Sequence, residues 1–318
     1  MLSLFRKNSF FNSLLMLFYA IILQIIPALN GSAHGFLGES GGSTFLGSVL
    51  HILILFLQAI FLNRLVIENR LHRDIMLFPG VFFILFSSIL PEFWSPSHIH
   101  FADFIVIWAL FELFQIYKMP NPAVHIFNSA FLIGIASIIC HPMIWYLLVI
   151  LIGISNLKKI EMVHPLQIFI GGSVPWFLWV TYHIWKGKGS ELWSSVKNHL
   201  GFNLGSLLSD RSAWWHTGLF ALLIILTFLL YGEFRKKKHI QAQKKIDILY
   251  VTLAVSLICI VFHRPPGTNN LLMTVPMIGI FFGLLFSHSK RSNFPELIHM
   301  LLFFGVLVMQ IFYYFNFV

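Results

Sequence analysis

Hydrophobic and polar positions fall along this chain in long blocks, not at the two-residue period of a half-buried strand or the 3.6-residue period of an amphipathic helix. Eleven apolar runs lie at about 14–29, 45–63, 75–91, 102–117, 123–140, 142–156, 166–185, 215–232, 247–262, 270–287 and 296–316, with short polar breaks between them. A run with no polar face belongs to a helix with apolar surroundings on every side, and roughly 20 such residues cross a hydrocarbon core. The pattern predicts an all-α, polytopic transmembrane helix bundle of about eleven spans. Leu14–Leu29 is similar to a secretory-signal core, but no small-x-small cleavage site follows and ten more runs do. It therefore reads as the first span. Prolines mark the breaks: Met119-Pro120-Asn121-Pro122 closes the fourth run, and His141-Pro142 parts the fifth from the sixth. Several runs are short for a straight crossing, so 123–156 reads either as two full spans or as a re-entrant hairpin. The two long polar stretches are 186–214 and 233–247.

Composition sharpens this picture. Of 318 residues, 58% are hydrophobic and only 10% charged, against roughly 25% charged in soluble domains. A soluble fold would have almost no surface. The net charge of +9 does not indicate nucleic acid, because the basic residues sit in short loops between apolar runs. With the N terminus in the cytoplasm and eleven alternating spans, only Lys186, Lys188, Lys197, Arg211 and Arg264 of the 21 Lys and Arg residues fall outside. The positive-inside rule then puts the C terminus outside. The expected organisation is one integral domain over 1–318: a bundle of about seven spans over 1–185, an outer interfacial segment over 186–214, and four further spans over 215–318. In that segment Leu192, Trp193, Val196 and Leu200 recur at helical spacing, as in a helix lying on the outer leaflet or covering a site. The two cysteines, Cys140 and Cys259, lie in or beside apolar runs and read as free buried thiols.

Once sidedness is assigned, candidate chemistry collects on the outer face. Glu39 is the sole carboxylate of the first outside loop, where it suits a general base or a ligand for a divalent metal that neutralises a diphosphate. His98, His100 and Asp103 open the fourth span. In a helix starting near His100, His100 and Asp103 are neighbours one turn apart, and two imidazoles with a carboxylate form a candidate metal set. Asp103 also fits a simple helix-dipole cap. Glu112 lies nine residues on, about 14 Å down the helix, where an ionisable group inside a membrane marks a functional candidate. Its expected partners are Gln115, Gln58 or Asn128. Arg264, in the Pro-stiffened loop His263–Asn270, suits bidentate contact with phosphate.

Two stretches carry a resemblance: FNSAFLIGIASIICHPMIWYLLVILIGISNLKK at 127–159 and SSILPEFW at 87–94. Over most of its length the chain resembles a family of Bacteroidota multi-span inner-membrane proteins with a domain of unknown function. More distantly, its first seven spans are similar in layout to GT-C glycosyltransferases, which use polyprenyl-phosphate-linked sugars and carry an acidic residue in the first outside loop. Glu39 fits that element. A paired acidic motif and a large C-terminal outer domain, both usual in GT-C enzymes, are missing from this sequence. The resemblance implies a bacterial inner-membrane, cell-envelope protein that transfers or handles such a sugar on the periplasmic face, with Glu39, His100 and Asp103 catalytic and Arg264 on the phosphate. Two other readings remain open. One is a non-catalytic subunit or scaffold with other membrane subunits as partners. The other is a proton-coupled transporter centred on Glu112.

Overall fold

A computed structural model of the chain describes residues 2–29, 44–201, 211–236, 238–265, 267–287 and 294–315. These residues form thirteen α-helices: α1 (Phe10–Leu29), α2 (Thr44–Glu68), α3 (Phe78–Phe86), α4 (His98–Gln115), α5 (Ala123–Ile139), α6 (Leu147–Leu157), α7 (Val163–Trp185), α8 (Gly189–His199), α9 (Arg211–Leu229), α10 (Tyr231–Arg235), α11 (Ile240–Phe262), α12 (Val275–Ser287) and α13 (Phe294–Tyr314). Tight 3₁₀ turns lead into α6 at His141–Tyr146 and into α12 at Thr268–Thr274. Among the described residues there is no strand, only an isolated antiparallel bridge between Leu200 and His263. Among the described residues, six segments are long and apolar enough to cross a membrane: Phe10–Leu29, Leu46–Glu68, His98–Gln115, Ile240–Phe262, Thr268–Ser287 and Pro295–Tyr314. The architecture is therefore an all-helical membrane fold.

Each apolar run of the sequence contains a helix, and several of these helices differ from their runs in extent; α11, for one, starts at Ile240, inside the expected polar stretch 233–247. α2 continues beyond the expected end to Glu68. It stops where Arg70 adopts a left-handed backbone (φ 49°) and Leu71 N–H reaches back to Val66 O at 3.1 Å, which satisfies the last carbonyls. The run at 75–91 shortens to α3, nine residues or about 13 Å long, with every residue buried.

The chain forms two compact units interleaved along the sequence. The first takes residues 1–100, 229–234 and 275–318, and the second takes 101–228 and 235–274. In the first unit α3 is the enclosed element. It packs on α2 and α12 through glycines, since a Cβ on Gly80 would meet Ala59 O and one on Gly279 would meet the Phe83 backbone. Such close backbone approach is how helices gain contact where lipid removes the hydrophobic drive between them. The start of α3 has no cap of its own; Asn63 of α2 accepts the Gly80 N–H at 2.8 Å.

In the second unit α5 packs along α7, with Gly134 against the Gly172 carbonyl and Gly171 against the Phe127 carbonyl. Trp176 Nε1 donates to Ser137 Oγ at 2.6 Å across the same contact. α6 joins α11 where Asn156 Nδ2 donates to Lys244 O, and α11 joins α9 where the Tyr250 hydroxyl donates to Thr227 O. α7 ends at Gly187 in the left-handed region (φ 71°), with Lys188 N–H bonded to His183 O. Large apolar side chains stay exposed along α7, α9 and α13, for example Phe169, Leu222 and Leu301, as on helices that face lipid.

Candidate functional site

In the first unit, α2 brings His51 and Gln58 to one face, because seven residues are two helical turns. The start of α4 meets that face. Gln58 Nε2 donates to His100 O at 2.6 Å, and the His51 and His100 rings stand edge to face with centroids 4.9 Å apart. Both imidazoles are about 1% exposed. The Ser97 N–H donates to His100 Nδ1 at 3.2 Å, so in a neutral ring the proton lies on Nε2. Neither His51 nitrogen, nor His100 Nε2, nor Gln58 Oε1 has a hydrogen-bond partner among the described residues. Buried polar atoms normally do. His51→Phe keeps a flat ring and removes two unpaired nitrogens. It is expected to leave the thermal midpoint unchanged or raise it, by a gain of up to roughly 1–3 kcal/mol. A clear drop in the midpoint would show that His51 holds a bond its host structure needs.

In the second unit Asp103 is buried, at 3% exposure. The Tyr146 hydroxyl is hydrogen-bonded to Ser256, and Cys259 Sγ donates to Pro142 O at 3.2 Å. Both cysteines are free and buried, as expected from the sequence. Glu112 pairs with His125 Nδ1 at 2.8 Å and accepts from Asn128 at 3.5 Å. Asn128 was among its expected partners; His125 was not. The pair lies three residues from the end of α4 and near the start of α5, so Glu112 sits toward a helix terminus and is half-buried.

The other end of the second unit carries a denser cluster. Leu200 bridges His263, Gly201 N–H donates to Phe262 O, and Arg264 N–H donates to His199 O, so the chain after α8 is laid against the chain after α11. α8 is the helix expected at 191–200, and it exposes or half-exposes every residue. The His199 ring stacks on His141 (centroids 5.4 Å, 13° between planes), and His141 also meets Trp176 and Trp179 edge-on. Trp179 contacts His183 in turn. Arg264 is exposed, and its guanidinium lies over Gly201, where any Cβ would overlap it.

The candidate residues are thus distributed as follows. Glu39 lies outside the described residues. His98 and His100 belong to the first unit, and Asp103, Glu112 and Arg264 to the second. His98 and His100, two residues apart on a helix, point in different directions, and His100 Nδ1 accepts from the Ser97 N–H. Sequence reasoning passed over His51, whose signal was its seven-residue spacing from Gln58. It also passed over the stacking of His141 with His199, for which no local signal exists. Comparison with protein-family models, curated proteins and solved structures returns no match.

Proposed function

We propose that this is a multi-pass protein of the bacterial inner membrane, GT-C-like in layout, that binds a polyprenyl-phosphate-linked sugar at the periplasmic face. The reading takes the eleven apolar runs as membrane-associated segments, with the N terminus cytoplasmic and the C terminus periplasmic. One observation carries it: an exposed Arg264 on the same loop pairing as a ring cluster in which Trp176, Trp179 and His199 are half-exposed around a buried His141. Guanidinium matches phosphate oxygens bidentately, and indole and imidazole faces supply flat apolar surface for a sugar ring. The position of Arg264 outside in the charge count agrees with a headgroup at that leaflet. His100 and Asp103 are too enclosed to touch a headgroup and act by supporting the fold. The transferase form of the reading keeps Glu39 as base. Glu112, the centre of the transporter alternative, is engaged by His125 at a helix end.

Binding of a polyprenyl-phosphate probe to the full chain in nanodiscs tests this. Arg264→Ala is expected to weaken binding about tenfold or more, since hydrogen bonds to a charged group contribute roughly 1.5–3 kcal/mol. Arg264→Lys should recover part of the loss, and neutral polyprenol should bind weakly to both. Equal affinity of wild type and Arg264→Ala, or equal affinity for phosphate and alcohol forms, rejects the reading. The transfer step is checked separately by scoring envelope glycans in a Glu39→Gln strain; unchanged glycans at normal protein levels would leave binding without transfer.

A further inference from the structure

Three helices of the second unit bring lysines to one end. Tyr117 and Lys118 follow the last turn of α4, Lys158 closes α6, and Lys244 and Lys245 lie in the second turn of α11. Lys118 Nζ stands 5.7 Å and Lys244 Nζ 6.0 Å from the centre of the Tyr117 ring. Lys158 Nζ donates to Pro120 O at 2.9 Å, just after Lys118 in the chain. The buried Lys245 turns to Phe114, one turn before Tyr117, at 5.4 Å. Asn156 Nδ2 donates to Lys244 O at 3.0 Å and ties the end of α6 to the start of α11.

Among the described residues, Lys118, Lys158 and Lys244 have no carboxylate partner. Asp247 is taken by Arg235 at 3.3 Å, Glu112 is taken by His125 at 2.8 Å, and the exposed Glu161 pairs with none of the three. Helix dipoles explain Lys118 and Lys158, which follow the negative ends of α4 and α6. They do not explain Lys244, because a helix start disfavours a cation. Ammonium groups gathered around one loop repel one another, and an anion among them removes that repulsion. Along α6 toward this end, Leu148 is exposed, as are Leu151 and Ile152 one turn on. Lys159 is exposed just past the helix end.

We propose that this end of the second unit binds one anionic phospholipid of the surrounding bilayer, with its phosphate among Lys118, Lys158 and Lys244 and an acyl chain along the exposed apolar face of α6. Lysine is a compact point charge suited to phosphate oxygens, and basic pockets between membrane helices take lipid headgroups. The apolar face selects a lipid over free phosphate, because only the lipid covers it. The inference does not rest on the polyprenyl-phosphate reading. It uses neither Arg264 nor the ring cluster, and Lys244 lies about 27 Å along α11 from Phe262, where the Arg264 loop begins. The plain alternative is a set of lysines that only anchor helix ends at a membrane surface.

The test is native mass spectrometry of the full chain, purified in detergent and titrated with phosphatidylglycerol or phosphatidylcholine of identical acyl chains. The expected result is one phosphatidylglycerol bound about tenfold or more tightly than phosphatidylcholine, with free glycerol phosphate weaker than either lipid. Lys118→Asn combined with Lys244→Gln should cut phosphatidylglycerol affinity roughly fivefold per lysine removed. Asparagine tolerates the left-handed backbone at position 118 (φ 59°). Lys186→Gln combined with Lys188→Gln, an equal change of charge elsewhere in the unit, should leave the affinity unchanged. Equal wild-type affinity for the two lipids, full retention in the first double variant, an equal loss in the second, or glycerol phosphate bound as tightly as lipid overturns the proposal. Polyprenyl phosphate should bind the first double variant as it binds wild type; a parallel loss would mean one site and not two, and would also overturn it. The wild-type comparison decides even where a variant fails to fold.

Discussion

Gly283→Leu is expected to prevent stable folding of the first unit. A Cβ built on Gly283 stands 2.5 Å from the Pro79 nitrogen, 2.7 Å from its Cα and 2.9 Å from the Phe78 carbonyl carbon. These are backbone atoms, so no rotamer change relieves the overlap. α12 would have to move off α3, whose nine residues are all buried and depend on that contact. Overpacking in a rigid core typically costs about 1–3 kcal/mol, and a leucine wedged between two backbones belongs at or above the top of that range. Gly283→Ala should show the same direction at smaller size. Gly305 of α13 is the control, because nothing lies within 4 Å of its Cβ position. Gly305→Ala should be neutral or gain up to about 1 kcal/mol from helix propensity. Thermal melts in detergent read all three. A Gly283→Leu protein that melts with wild type would mean that α3 and α12 do not touch there.

Gln310→Leu is expected to destabilise the same unit by about 1–3 kcal/mol, and Pro27→Ala to restore a large part of the loss. The cause lies in α1. Pro27 sits inside that helix and has no N–H, so the Leu23 carbonyl four residues earlier loses its helical partner. Gln310 of α13 supplies the bond instead: its Nε2 donates to Leu23 O at 2.9 Å and to Ser88 O at 3.1 Å. Ser88 is a shared point, since Trp94 Nε1 donates to its carbonyl and Gln24 Nε2 to its hydroxyl. Leucine keeps the volume but orphans a carbonyl in apolar surroundings, the costly way to break a hydrogen bond. Alanine at position 27 gives the carbonyl an N–H of its own. A double-mutant cycle on melting midpoints measures the coupling. Additive effects of the two substitutions would show that Gln310 is not the carbonyl's partner.

Neither proline nor glutamine announces this bond in the sequence: 287 positions separate Leu23 from Gln310. The same limit applies at Glu112. Its intramembrane carboxylate and the nearby Asn128 were legible, because helix spacing and polarity mark both. His125 was not singled out, because it follows the Pro120–Pro122 break and reads as a loop-side residue until α5 is seen to begin at Ala123. The site differs again. Arg264 stood out by its charge in a Pro-stiffened outer loop, whereas the link through His199, His141 and Gly201 depends on the chain after α8 lying against the end of α11.

The order of apolar and polar residues alone determined that this chain is helical and that its helices are apolar enough to suit a bilayer, since both follow from short-range burial and from prolines and charges acting on their own neighbourhood. Tertiary structure alone decided which helices share a unit, why α3 is short and enclosed, and which histidine meets which ring. Those outcomes depend on how closely two backbones approach and on which distant donor satisfies an orphaned acceptor, and a block of leucines and phenylalanines is compatible with many such pairings.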